Sequence, residues 1–287
     1  MGEEQIVVQI NPDVPPTGSC LGIVNAARKS FGRRSEWDLL VNGRVVDGPY
    51  YEELRLRDKD KRLLEFLARG MTADDFNSFC SSLAVEGTLV TDSYDNESYH
   101  LDSHKDFKDQ FIENLWQWRN TPTHDTPFNH GFFSFEIKAP IFVARQLVKH
   151  EYLIMSEYSR RYITDDIEFY QPTVWRKAAE DVKQGSSSEA VSVQAIDPNF
   201  VNFTSLRVYK ELLEAGVAPE QARMVLPQST MTEWYWSGSL DAFAAMCRLR
   251  YASDTQYETR LVADNISKKM ADLFPVSWDA LIKENNR

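Results

Sequence analysis

The sequence is poor in cysteine: Cys20, Cys80 and Cys247 are the only three among 287 residues. They are odd in number and far apart, with no CxxC pair and no metal-type spacing. That excludes a disulfide framework or a cysteine-based metal site and leaves free thiols in a reducing compartment. No run of about 18 apolar residues is present, so no membrane-spanning helix is expected. The opening MGEEQIVVQI is acidic and lacks the apolar core of a signal peptide. It also lacks the Ser or Thr that myristoylation favours. The expectation is a soluble, cytoplasmic protein without a membrane partner. Positive charge is scarce too: 32 Lys and Arg stand against 43 Asp and Glu, a net charge of −11. That argues against a nucleic-acid partner, because such binders run basic. The motifs GxSxG, HExxH, GxxxxGK[ST] and GxGxxG are all missing, and no cysteine has a placed histidine. An enzyme of this sequence would draw its chemistry from a cofactor held outside the standard nucleotide-binding folds.

What is present is globular: 43% hydrophobic and 12% aromatic residues in 33.1 kDa, enough for one sizeable core or two small ones. QIVVQI reads as a strand and CLGIVNAARKSF as a helix burying Leu21, Ile23, Val24, Ala27 and Phe31. RLRDKDKRLLEFLARG reads as a second helix with Leu63, Leu64 and Leu67 as its stripe and Gly70 as its cap. A polar stretch of about 71–121 follows, read as an insertion with a helix in DFKDQFIENLWQWRN. His100 and His104 stand four apart within it, but without an apolar face they read as loop rather than as metal ligands. In HGFFSFEIKAP, Phe133, Phe135 and Ile137 alternate with Ser134, Glu136 and Lys138, which predicts a strand. Pro140 then opens a helix in which Arg145 and Lys149, and Gln146 and His150, stack four apart. EDVKQGSSSEAVSVQAID reads as an exposed loop, FTSLRVYKELLEAG as a helix ended by Gly216, and APEQARMVLP as a restart. Ser239 is a natural N-cap for LDAFAAMCRLR. DTQYETRLVADNISKKMADLF is expected as the last helix, with Leu261, Ile266, Met270 and Leu273 facing the core. The whole predicts one mixed α/β (α+β) domain over 1–287.

The stretch RQLVKHEYLIMSEYSRRY, Arg145 to Tyr162, gathers four cations, one histidine and two serines. Guanidinium forks and serine hydroxyls are the chemistry of phosphate or carboxylate capture. Arg223 and Arg250, near other helix ends, are further candidates. Most helical arginines make surface ion pairs, so spacing alone reaches only an anion or nucleotide site.

The same stretch resembles the flavin-dependent thymidylate synthases, whose motif is Arg-His-Arg, seven residues, Ser, then Arg-Tyr. Here it reads Lys149-His150-Glu151, seven residues, Ser159, then Arg161-Tyr162. HDTPFNHGFFSFEIKAPIFVARQ, ARMVLPQSTMTEWYW, LRLRYASDTQYETR and NAARKSF resemble further family segments in order. The resemblance implies a homotetramer with a mixed sheet packed by long helices and active sites shared between subunits. It implies the conversion of dUMP to dTMP, with methylenetetrahydrofolate giving the carbon, NADPH the reducing equivalents and FAD carrying them. It places Gln146, Lys149, Glu157, Ser159, Arg161 and Arg223 on dUMP, with Arg250 on the uracil ring as the catalytic cation. On the FAD side it places Ser30, Thr126, Lys149, His150, Glu157 and Ser239. The chain departs from the family at Lys149 and Glu151, at Ile154 and Ser156, and at Ser239, Asp241 and Ala245. These changes fall mostly on the flavin side. Altered chemistry on a pyrimidine deoxynucleotide (C5 hydroxymethylation, or dCMP as substrate) and a non-catalytic nucleotide-binding homologue are the alternatives. An α/β protein whose cations only form surface ion pairs is the blandest one.

Overall fold

The computed structural model describes residues 3–29, 31–46, 53–69, 124–164, 167–180, 185–193 and 196–282. The expected helix in 106–120, the Gly70 cap and the 71–121 insertion lie outside them. The described chain groups into two compact units, one made of residues 1–17 and 131–272, the other of residues 18–130 and 273–287.

The first unit is built on a four-stranded antiparallel sheet. Its strands are β1 (Val7–Ile10), β5 (Phe132–Pro140), β6 (Ile154–Glu157) and β9 (Met231–Ser239), in the order β1-β5-β9-β6. The period-2 reading of β5 holds: Phe133, Phe135, Ile137 and Ala139 are buried on one face. β9 is its full-length partner, with Phe135 opposite Trp236 and Ile137 opposite Trp234. Phe135, Trp236 and Phe243 form an edge-to-face cluster, with ring centres 5.1 Å apart for Phe135–Phe243 and 5.7 Å for Trp236–Phe243. On the other face Ser134 is buried too, bonded by the Asn11 amide and the Ser237 hydroxyl.

Helices α3 (Ile141–Leu147), α4 (Pro198–Glu214), α5 (Pro219–Ala222), α6 (Leu240–Arg250) and α7 (Tyr257–Leu273) also belong to this unit. α4 starts earlier than its apolar pattern suggests, because Asp197 accepts from the Asn199 amide as its N-cap and Pro198 follows at N1. Gly216, at φ +85°, ends it as expected. α7 buries Val262, Ala263, Ile266 and Met270, whereas Leu273 is exposed and Leu261 only half-buried. The core-facing stripe thus lies one position from the expected one at its start. The segment expected to be a loop contains a strand instead, β8 (Ser186–Ala190), paired with β7 (Arg176–Ala178) just ahead of that segment. Serine-rich β8 has no apolar alternation to announce it.

The second unit holds α1 (Cys20–Lys29), α2 (Asp58–Arg69), α8 (Pro275–Ile282) and a three-stranded sheet. Its strands are β2 (Asp38–Val41), β3 (Arg44–Val46) and β4 (Glu53–Arg55), in the order β3-β2-β4. Asn42 and Gly43, at φ 49° and 73°, make the two-residue hairpin turn that Asn-Gly favours. Leu64 and Leu67 of α2 are buried as predicted, but Phe31 beyond α1 is exposed. Fully buried Asp60 accepts from Arg28 at 2.5 Å and from the Ser35 hydroxyl at 2.8 Å. α7 is not the last helix; Pro275 opens α8 two residues later. Among the described residues no helix is long and apolar enough to cross a membrane.

Candidate functional site

Two strand-to-helix junctions build the site, both in the first unit. β5 runs out at Pro140, whose φ of −69° and ψ of 153° make it the N-cap of α3. α3 is short, ending at Leu147 with Val148 as its C-cap, so Lys149 and His150 sit in a turn rather than on the expected continuous helix. The turn closes with His150 N–H donating to the Leu147 carbonyl and Leu153 N–H to that of His150. It then feeds β6 back onto β9. At the other junction Ser239 caps α6, accepting from the Ala242 amide at 3.3 Å, and the last residue of α6 is Arg250.

There the two paths meet. Arg250 Nε donates to His150 Nε2 at 3.2 Å, and Nη2 donates to the Gln146 carbonyl at 3.0 Å. Two bonds in divergent directions fix the plane of a guanidinium, which a single contact cannot do. Burial, and then the Arg250 charge, push the His150 pKa down to about 4. The imidazole is therefore neutral near pH 7, and since Nε2 accepts, its proton resides on Nδ1. Trp236 packs against the ring at 6.1 Å between centres. Burial also lowers the Arg250 pKa from its usual value, but a guanidinium keeps its proton in proteins.

Beside Arg250 opens a cavity of about 900 Å³. Its wall carries the cations Arg145, Lys149, Arg176 and Arg250, the amides of Gln146 and Gln256, and the apolar faces of Phe142, Tyr170, Trp175 and Leu249. Behind it runs a chain of side-chain hydrogen bonds. The Thr259 hydroxyl donates to Gln146 Oε1 at 3.1 Å, and Gln146 Nε2 donates to Gln256 Oε1. Gln256 Nε2 donates to Glu258 Oε2 at 3.1 Å. The other Glu258 oxygen accepts from Arg176 Nη2 at 2.7 Å and from the Tyr170 hydroxyl at 3.4 Å. Glu258 is buried, and Arg176 also lies over the Tyr257 ring at 4.3 Å. Burial, followed by the Glu258 charge, pushes the Tyr170 phenol well up, so it stays a donor.

The residues expected from sequence divide accordingly. Gln146, Lys149 and Arg250 share the cavity wall, and His150 holds Arg250. Glu157 is half-buried on β6 and accepts from the Thr232 hydroxyl at 3.0 Å. Ser159 accepts from the Arg161 amide at 3.4 Å, and exposed Arg161 donates to the Tyr162 hydroxyl at 2.7 Å. Arg223 is exposed where α5 gives way to a 3-10 turn. Ser159, Arg161 and Arg223 are not among the residues lining the cavity. Ser239 is committed to capping α6. Thr126 is exposed at the start of a 3-10 turn of the second unit, and Ser30 lies outside the described residues. Neither Glu151 nor Asp241 lines the cavity. Sequence reading missed Arg176, Tyr170 and Glu258, because their contacts span 82 and 88 residues. No local pattern signals such pairs.

A family model, thymidylate synthase complementing protein, matches residues 80–276. Among curated proteins, the flavin-dependent thymidylate synthase of Thermus thermophilus is 39% identical over 158 residues, 55% of this chain and 58% of the relative. That of Thermosipho africanus is 39% identical over 164 residues, covering 56% and 72%. That of Dictyostelium discoideum is 30% identical over 254 residues, covering 83% and 76%. The match thus spans under two thirds of the Thermus relative's length. A solved structure of similar fold is the UMP/dUMP methylase PolB from Streptomyces cacaoi bound with 5-Br UMP. Its TM-score is 0.61 at 22% identity, over 96% of this chain and 93% of that one. With the family model covering well over half of its length, the chain belongs to the thymidylate synthase complementing protein family, which its relatives represent as flavin-dependent thymidylate synthases.

Proposed function

We propose that this protein is a flavin-dependent thymidylate synthase, converting dUMP to dTMP with methylenetetrahydrofolate as carbon donor and NADPH as reductant. The observation that carries the reading is Arg250, held at two points on the wall of the cavity. A volume of about 900 Å³ falls in the range of small-molecule sites. A fixed cation stabilises negative charge that spreads into a uracil ring when C5 turns nucleophilic, and it needs no reorganisation as the charge develops. Neutral His150 holds that cation without competing for the anion. Activation of the ring through Arg250 requires no protein thiol. The two described cysteines, Cys20 and Cys247, are both buried, and burial raises the Cys247 pKa, which keeps it a thiol.

The residues present fit FAD. Exposed Arg145 and Lys149 suit its anionic tail, and Trp175 and Leu249 offer apolar surface for a flat ring. Bound there, the flavin supplies the hydride. The acidic departures Glu151 and Asp241 lie off the cavity wall, so neither places a negative charge on it. Ser159, Arg161 and Arg223 belong in this reading to the dUMP phosphate. As they stand off the cavity wall of their own chain, a neighbouring copy of a homotetramer supplies them.

Purified protein is expected to show oxidised-flavin absorbance with FAD, to sediment as a tetramer, and to form dTMP from dUMP, methylenetetrahydrofolate and NADPH. Protein that stays colourless with FAD and yields no dTMP overturns the reading. A product heavier by one oxygen replaces it with C5 hydroxymethylation.

A further inference from the structure

We infer that Glu258 is a positioning residue: it sets the hydrogen-bond polarity of the Gln256 and Gln146 amides beside Arg250, and so selects a 4-oxo over a 4-amino pyrimidine. The inference rests on the reading that the cavity holds a pyrimidine nucleotide.

An amide is nearly symmetric in shape, yet one end only donates and the other only accepts. Packing alone therefore leaves its polarity open, and hydrogen-bond partners must decide it. Thr259, at the far end of the chain, cannot decide, because a hydroxyl donates or accepts equally well. Glu258 can. Its carboxylate only accepts, and Arg176 donates to its other oxygen at 2.7 Å. Gln256 must therefore present Nε2 to it, at 3.1 Å. That leaves Gln256 Oε1 toward Gln146, which must present Nε2 in turn. Gln146 Oε1 then takes the Thr259 proton, at 3.1 Å. Each link follows from the one before, and Glu258, which starts the order, is itself buried.

Each amide keeps one free N–H at its nitrogen end and one free lone pair at its oxygen end. Both glutamines line the cavity, and the main-chain carbonyl of Gln146 accepts from Arg250. A base seated against Arg250 thus lies beside an edge of fixed polarity. Uracil offers an acceptor at O4 and a donor at N3; cytosine offers a donor at N4 and an acceptor at N3. The two edges are opposites, so one amide polarity matches only one of them.

Glu258→Gln preserves shape while reversing the sequence of donors. Its Oε1 keeps Arg176 and Tyr170, its Nε2 faces Gln256, and each amide beyond turns over, with Thr259 now accepting. The test is calorimetric binding of dUMP and dCMP to the full chain, with melting curves as a check on folding. The unaltered protein is expected to prefer dUMP, and Glu258→Gln to lower the dUMP-to-dCMP affinity ratio by about tenfold or more. Gln256→Met cuts the relay at constant shape, so it lowers the ratio alone and removes the effect of adding Glu258→Gln. It also carries the test should Glu258→Gln fail to fold. A ratio unchanged in either variant overturns the inference, as does a Glu258→Gln effect that persists alongside Gln256→Met. Unaltered protein that binds neither nucleotide overturns the underlying reading as well, which separates the two failures.

Discussion

Replacing Arg250 by lysine keeps the positive charge and removes the fork, so it separates geometry from charge. In the structure Arg250 uses two arms, Nε to His150 at 3.2 Å and Nη2 to the Gln146 carbonyl at 3.0 Å. A lysine ammonium on its flexible stem satisfies one of these partners and leaves the other half-buried acceptor unmet. A hydrogen bond to a charged group contributes about 1.5–3 kcal/mol. With 1.4 kcal/mol equal to a factor of ten, the loss of one orienting arm should weaken dUMP binding by about 10- to 150-fold. The assay is titration calorimetry at neutral pH, with a thermal melt to show that the fold survives. A dissociation constant within about threefold of the unaltered protein, at an unchanged melting temperature, would refute the argument. Charge alone would then suffice, and the two-point clamp would be incidental.

Two further outcomes follow from the same region. The His150 imidazole should titrate by NMR near pH 4 in the folded protein. Above its unfolded value of 6.5 both states are neutral. Between 6.5 and about 4 only the unfolded chain takes the proton, so stability falls as pH drops through that window. His150→Gln should flatten this loss, and a midpoint at or above 6.5 would contradict the burial argument. Gly238→Ala should destabilise by about 1–3 kcal/mol in chemical denaturation, because its Cβ would collide with the buried Leu153 side chain and meet the Tyr152 carbonyl at 3.2 Å. A neutral result would mean the turn after α3 gives way without cost.

Much of this was legible from residue order, and the rest had a physical reason to be hidden. β5 was legible because large apolar residues alternate strictly with polar ones and both neighbouring strands cover it. α6 was legible because Ser239 both begins the apolar pattern and caps it. β8 was not, since SSSEA has no apolar face, and its pairing with β7 is sustained by backbone bonds. The Phe31 expectation failed because the helix stops two residues earlier, at Lys29. Within the site, Arg250, Gln146 and His150 were named from the family pattern, and the chain brings them together. Arg176, Tyr170 and Glu258 come from segments that meet only in three dimensions.

The nine-position ladder between β5 and β9, from Phe132 opposite Ser239 to Pro140 opposite Met231, works as a ruler. α3 leaves it at one end and α6 at the other, so the meeting of His150 with Arg250 depends on where the two scales are set. A shift of two positions, the smallest that keeps inward residues inward, displaces one strand by about 7 Å. That is twice the reach of any hydrogen bond. Insertions or deletions inside either strand should therefore abolish the site even where the fold survives, whereas length changes outside the ladder leave its calibration untouched.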